Sequence, residues 1–328
     1  MKTIISTRLN AFKSRPELYQ WKYSLGDPRD LFDRMCLVKG SRWYSINYPE
    51  HFPKDREGQI KKHLKKSDMR LSSVNLRYPG EFALGAFTNP RKDLQKKAYH
   101  LTCSAVDLCR ELGGSDVVLW LGSDGFDYSF QMNYPKAWAQ ELYWIGKTAD
   151  YAAEKDIRIS IEYKPFEPRK NSLMGDFGLT LSAVQKLGRK NLGITCDVCH
   201  MLMANEYPAS LIAIALEQKC LFGLHLNDGY GKGDDGLAVG MVNLLQHLEI
   251  FKYLQDYDFQ GFLYCDTFPV NEDPVKEYQM NTERILWLER TARRIATKRL
   301  EDLMEKQEGL LASRYVWDTI LEGGHECV

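Results

Sequence analysis

The chain has no excess charge of either sign: 44 lysines and arginines balance 44 aspartates and glutamates over 328 residues. Neutrality gives no electrostatic case for nucleic acid or a membrane surface as partner. No run approaches the roughly 18 apolar residues needed to cross a bilayer. The opening segment MKTIISTRLNAFKSR holds an apolar stretch too short for a secretory signal, with charges where a cleavage region would lie. No glycine-rich phosphate loop follows an early strand, which removes the signature of a dinucleotide-binding sheet. The eight cysteines are scattered, and Cys36, Cys103, Cys109, Cys220 and Cys265 sit in apolar runs. That pattern belongs to a reducing compartment, so a cytoplasmic protein is expected. Cys196 and Cys199 form a single CxxC with no second pair to complete a zinc site, and a structural role is expected for them.

What is present is an alternation. Short β-prone runs near residues 3–7, 43–46, 71–76, 116–121, 157–162, 192–197, 221–226 and 262–266 are separated by stretches of helical character. Helices are expected over 91–112, 136–155, 178–189, 199–217 and 240–256, with a Lys-rich helical stretch at 52–68. Residues 1–30 carry little signal beyond a first strand and a polar helical stretch. Strand, loop and helix repeating every 30–40 residues gives a parallel sheet with helices outside. Seven or eight such units in one domain predict an α/β fold, a (β/α)8 TIM barrel, over residues 1–270. Residues 271–328 read as a C-terminal helical extension that packs on the barrel or on a partner subunit. Its apolar content (Ile285, Leu288, Ile295, Leu300, Leu310, Leu311, Trp317 among others) is too high for a solvated tail.

The chemistry-bearing stretch is IRISIEYKPFEPR, residues 157–169. An alternating apolar run stops at Glu162, and Lys164, Glu167 and Arg169 follow between Pro165 and Pro168. Glu162 and Lys164 are two apart, so in extended backbone they point the same way. Three further strands end in Asp197, His225 and Asp266. In a barrel, four consecutive strand ends converge at the carboxyl-terminal face. Three carboxylates and one imidazole suit a divalent cation such as Mn²⁺, Mg²⁺ or Co²⁺ rather than structural zinc. His200 lies three residues beyond Asp197, on the same side of a helix start. With Asp234, or Asp235, from the glycine-rich loop DGYGKGDDG it offers a second metal site.

These motifs resemble the sugar isomerases of the xylose-isomerase-like barrel superfamily, and most of all the L-rhamnose isomerase group, over roughly residues 70–270. Glu162-x-Lys164-Pro165-x-Glu167-Pro168-Arg169 is similar to the segment bearing a metal-binding Glu and a catalytic Lys. Asp197-x-x-His200 resembles the pair whose carboxylate bridges two metals and whose His binds the second. His225-Leu226-Asn227-Asp228 is similar to the rhamnose isomerase segment whose His is a first-site ligand, and Asp266 matches the last ligand. Trp120 resembles the tryptophan that walls the sugar pocket. One departure stands out: the family offers Asp-x-Asp after the seventh strand, whereas Asp234-Asp235-Gly236 puts glycine at the second position. Asp235 or Asp228 is then left to fill in.

The resemblance implies a divalent-metal-dependent aldose–ketose isomerase acting on a free, non-phosphorylated monosaccharide, with Mn²⁺ first among the metals and a homo-oligomer, dimer or tetramer, as its assembly. It implies Lys164, Asp266 and His200 as catalytic groups. His51, Phe87, Trp120, Asp228, Glu167 and Arg169 are expected around the substrate. Two alternatives stand beside it: a ketose 3-epimerase on the same barrel, and a non-catalytic sugar-binding barrel. Epimerases of this kind carry Glu at the last ligand, and Asp266 is too short to serve as both ligand and base. A metal-dependent endonuclease on a similar barrel needs more histidine than the seven here.

Overall fold

In the computed structural model, which describes residues 4–323, eight parallel strands close into one barrel. The first four are β1 (Ile5–Arg8), β2 (Trp43–Tyr48), β3 (Arg70–Leu76) and β4 (Asp116–Trp120). A two-residue strand β5 (Gly125–Phe126) interrupts the series before β6 (Arg158–Glu162) and pairs with β7 (Asn171–Ser172) as a small antiparallel ribbon. The barrel continues through β8 (Leu192–Asp197), β9 (Leu221–Leu226) and β10 (Phe262–Cys265). The ring closes where β1 pairs with β10, Ile5 opposite Leu263 and Thr7 opposite Cys265.

The period of two explains which residues face the axis. In β6, Ile159 and Ile161 join the core under the helices, while Ser160 and Glu162 turn inward. The same alternation sends Thr195 and Asp197, Gly223 and His225, and Tyr264 and Asp266 to the barrel interior. Small hydroxyls fill its deeper layer and satisfy one another: Ser160 and Thr195 lie 2.6 Å apart, Ser45 and Ser73 2.9 Å. The ligand-type residues are thus the last inward side chains of their strands, above a packed floor.

The helices are α1 (Pro28–Met35), α2 (Glu57–Leu64), α3 (Lys92–Glu111), α4 (Tyr134–Ala153), α5 (Phe177–Leu187), α6 (Val198–Met203), α7 (Pro208–Glu217) and α8 (Leu244–Asp256). They are followed by α9 (Pro274–Arg294), α10 (Thr297–Glu305) and α11 (Gly309–Glu322). Three differ from expectation for local reasons. α1 is an unexpected helix, started by Pro28 and by the Asp27 carboxylate, which accepts the Arg29 N–H. The helix expected over 199–217 is two, because Asn205 takes a positive φ of 56° and Pro208 begins α7. α8 begins at Leu244 rather than 240 because the Asp228 carboxylate takes the N–H groups of Val242 and Asn243 just before it.

α9 belongs to the barrel. Its Ile285 and Leu288 are fully buried, and the Tyr278 hydroxyl donates to the Cys265 carbonyl at the end of β10. α9, expected within the C-terminal extension, thus packs on the barrel. α10 has no buried residue, and α11 leaves Leu310, Leu311, Trp317 and Leu321 exposed.

One buried acid has no compensation. Glu141 on α4 is fully buried, and neither carboxylate oxygen has a hydrogen-bond partner. Burial, with Asp124 adding to it, pushes its carboxyl well above the ordinary glutamate range. A raised folded value means the folded state keeps a proton that the unfolded chain releases, so Glu141 lowers stability as pH rises above the ordinary range. Glu141→Met is expected to raise stability by about 1–2 kcal/mol near pH 8. The gain shrinks as pH falls through about 4, where the unfolded chain also takes up the proton; thermal unfolding at the two pH values checks it.

Candidate active site

Four strand ends meet at the carboxyl-terminal mouth. Glu162 of β6, Asp197 of β8, His225 of β9 and Asp266 just after β10 are all buried, and each offers a ligand atom within 4.8 Å of the others. His225 Nδ1 is central: it lies 3.3 Å from Glu162 Oε1, 3.5 Å from Asp266 Oδ2 and 3.7 Å from Asp197 Oδ2. Burial alone would depress the imidazole, yet Glu162, Asp197 and Asp266 outweigh it and hold the ring well above its usual range. Burial would likewise raise Glu162, but His225, then Arg77 and His200, bring its carboxyl down to about 2. Glu162 Oε2 is buried with no hydrogen-bond partner. Such an orphaned oxygen among converging acids fits a divalent cation held by three carboxylates and one imidazole.

Asp197, His200 and Asp234 form a second convergent group that shares Asp197 with the first. His200 Nδ1 lies 3.0 Å from the Tyr163 carbonyl, which orients the ring and aims Nε2 at Asp234 Oδ2, 3.3 Å away. Burial works against the His200 cation, and Asp197, Asp234 and Glu162 outweigh it, raising the ring to about 9. Lys164 Nζ sits 2.9 Å from the same Asp234 oxygen and 2.9 Å from Glu167 Oε2. Burial would lower its ammonium, but these two acids keep it above the usual range.

Several expected pocket residues lie elsewhere. Asp235 is not in the cluster, because its Oδ2 accepts the Tyr230 N–H at 2.7 Å within its own loop. Asp228 is not a pocket group either. Fully buried, it accepts from Gly229 N, Val242 N, Asn243 N and Asn243 Nδ2 and fixes the chain ahead of α8. Phe87 has no exposed surface to offer a ligand and packs against Tyr78 and Trp144. Arg169 pairs with Asp127 at 2.9 Å and donates to the Gly125 carbonyl, tying its loop to the ribbon. Cys196 and Cys199 are free, buried thiols, and Cys199 Sγ donates to the Asp228 carbonyl.

Trp120 and His51 do reach the mouth. Trp120 ends β4, and its ring lies where a Cβ on Gly122 would come within 2.5 Å of it. His51 is buried beyond β2. Its Nδ1 accepts the Asn47 N–H at 3.0 Å, while Nε2 has no partner. Burial first, then Lys13, Arg8 and Arg77, lower its ring to about 4 against the pull of Glu50.

Three residues with no role assigned from sequence shape the site. Asn227 donates to both Asp197 oxygens at 3.1 Å, and its own oxygen accepts the Cys199 N–H. Arg8, the last residue of β1, pairs with Asp266. Arg77, one residue past β3, lies 3.7 Å from Glu162 Oε2. Both arginines could have been found by the rule that found Glu162, a charge at a strand's carboxyl end.

Residues 40–290 match the family described as the xylose isomerase-like TIM barrel. The chain belongs to that family. It is 27% identical over 223 residues to a xylose isomerase of Thermus thermophilus, a match covering 65% of this chain. The chain spans 58% of the length of that relative. In fold it is similar to an L-ribulose 3-epimerase, with a TM-score of 0.70 and 16% identity over 89% of this chain and 96% of the other. It is also similar to the IOLI protein with a binding zinc atom, with a TM-score of 0.65 and 13% identity over 88% of this chain and 98% of the other.

The glycine that replaces the expected aspartate has a structural reason. Gly236 has a φ of 56°, and a Cβ there would fall 2.1 Å from the Phe268 ring. Its carbonyl accepts the Phe268 N–H at 2.8 Å. Gly236→Asp is therefore expected not to add a ligand but to lower stability by about 1–3 kcal/mol. Denaturant unfolding alongside Mn²⁺ titration checks both halves.

Proposed function

We propose that this protein is a divalent-metal-dependent aldose–ketose isomerase acting on a free monosaccharide, akin to the L-rhamnose isomerases. The observation that carries the reading is the pair of convergent groups sharing Asp197, with the Lys164 ammonium beside them. Glu162, Asp197, His225 and Asp266 would hold the first metal, Mn²⁺ before Mg²⁺ or Co²⁺. Asp197, His200 and Asp234 would hold a second one, weakened by the glycine at 236. A bound divalent ion supplies Lewis acidity and anchors neighbouring sugar hydroxyls.

The chain's own groups then have distinct tasks. Lys164 places a full positive charge where O1 or O2 gains negative charge as hydrogen moves between C1 and C2. Asp234 and Glu167 hold that ammonium charged and in place. Asp266 orients the water that carries the hydroxyl proton, and His200 completes the polar wall. Trp120 offers an apolar face to the sugar ring. The exposed apolar face of α11 supports a homo-oligomer.

A ketose 3-epimerase is the second reading, supported by the shared fold with an L-ribulose 3-epimerase. Against it stands the last ligand: Asp266 is one methylene shorter than glutamate and is held by Arg8. The deciding experiment incubates the Mn²⁺-loaded protein with aldoses and ketoses and follows both aldose–ketose exchange and inversion at C3. Interconversion of aldose and ketose is expected; C3 epimers without aldose would transfer the assignment to the epimerase. Glu162→Gln is expected to weaken Mn²⁺ binding about 100-fold. Lys164→Met is expected to lower kcat about 100- to 1000-fold with little change in KM.

A further inference from the structure

The ring order divides the barrel mouth in two. The metal-type residues occupy one arc, on neighbouring strands β6, β8, β9 and β10. The other arc, β1, β2 and β3, ends in Arg8, His51 and Arg77. A ligand anchored on the acidic arc extends toward the basic one.

Both arginines are held from one face with donors to spare. Arg77 Cζ lies over the Trp120 ring, 4.9 Å from its centroid. Its nearest carboxylate oxygen, on Glu162, is 3.7 Å away, beyond hydrogen-bond distance, and it has no hydrogen-bond partner among the described residues. Arg8 Cζ lies over Phe268 at 4.4 Å, its Nε donates to Asn10 and its Nη1 to Asp266, which leaves Nη2 open. A guanidinium placed only to neutralise an acid spends its donors on that acid; Arg77 does not. His51, whose Nδ1 is an acceptor, carries its proton on a buried Nε2 that also lacks a partner.

The charge balance points the same way. Glu162, Asp197, Asp234 and Asp266 are four carboxylates facing three cations, Arg8, Arg77 and Lys164. Glu167 is half in solvent, and Glu50 is paired with Lys13. A divalent ion on the acidic arc tips this balance to a net positive charge. That excess complements an anionic ligand.

We infer that the substrate is an acidic sugar, whose carboxylate is received by Arg77, with Arg8 and His51 beside it, while its hydroxyls face the metal ligands. This rests on the isomerase reading and narrows it. The reaction on such a sugar moves one hydrogen from C2 to C1 and one proton from O2 to O1, with no atom gained or lost. A carboxylate is favoured over a phosphate because, of the two arginines, only Arg77 has its whole donor fork free, enough for two oxygens.

The test uses the Mn²⁺-loaded protein and matched ligands: glucose, galactose and mannose, their uronates, and their 6-phosphates. Binding is read as paramagnetic broadening of the ligand proton resonances, apart from turnover. Uronates are expected to bind at least about tenfold more tightly than their neutral partners. Arg77→Met is expected to erase that preference, and Arg77→Lys, which keeps the charge but not the fork, to retain part of it. Thermal unfolding with Mn²⁺ confirms that each variant is folded. A neutral sugar bound as tightly as its uronate overturns the inference and leaves the isomerase reading standing. Tighter binding of 6-phosphates overturns the choice of carboxylate. Failure to bind Mn²⁺, or any sugar, overturns the isomerase reading and this inference with it.

Discussion

Everything at the mouth of this barrel depends on keeping like charges together. Glu162, Asp197 and Asp266 are buried within a few ångströms of one another, with Asp234 beside them. Burying such a group unpaired would cost more than a domain's margin of stability. The fold answers with cations drawn from other strands: Arg8 on Asp266, Arg77 near Glu162, Lys164 on Asp234, and two histidines between the acids. The same arrangement that makes the cluster tolerable gives the site its polarity. Compensation is incomplete at Glu162 Oε2 and Asp234 Oδ1, two buried oxygens with no hydrogen-bond partner, and those are positions where a bound cation does most.

The coupling reaches into the loops. The backbone of Gly236 and the ring of Phe268 occupy the place where a side chain at 236 would stand. Phe268 in turn lies under the Arg8 guanidinium, which pairs with Asp266. One glycine therefore bears on the cluster of Glu162, Asp197, His225 and Asp266 through an aromatic ring and an arginine. On the other side, Gly122 makes room for Trp120, and Trp120 lies under Arg77. Each arginine has the same three-part support, a glycine, an aromatic ring and a carboxylate.

The barrel was legible in the sequence because its signal is periodic. Ile157, Ile159 and Ile161 mark one face of a strand, and Glu162 marks where it stops. Four such endings with a metal-binding character identified the acidic arc, and the structure places all four within one small volume. What stayed hidden depends on direction rather than pattern. Asp228 and Asp235 sit in an acidic, glycine-rich loop and look alike in sequence, yet backbone N–H groups claim both. Phe87 lies in a loop expected at the mouth but is fully buried against Tyr78 and against Trp144 of α4. Arg8 went unassigned because residues 1–30 carry almost no periodicity, and Arg77 because a cation at a strand end is not a metal ligand. The family match over residues 40–290 also begins after Arg8.

The pairing of β1 with β10 has a consequence for folding order. Arg8 and Asp266 are 258 residues apart and meet only because Ile5 lies beside Leu263 in the closed ring. Contacts of such separation are among the slowest to form. Any partly folded state in which β1 is not yet beside β10 leaves Asp266 without the Arg8 guanidinium, so closing the barrel and completing the site depend on the same strand pair.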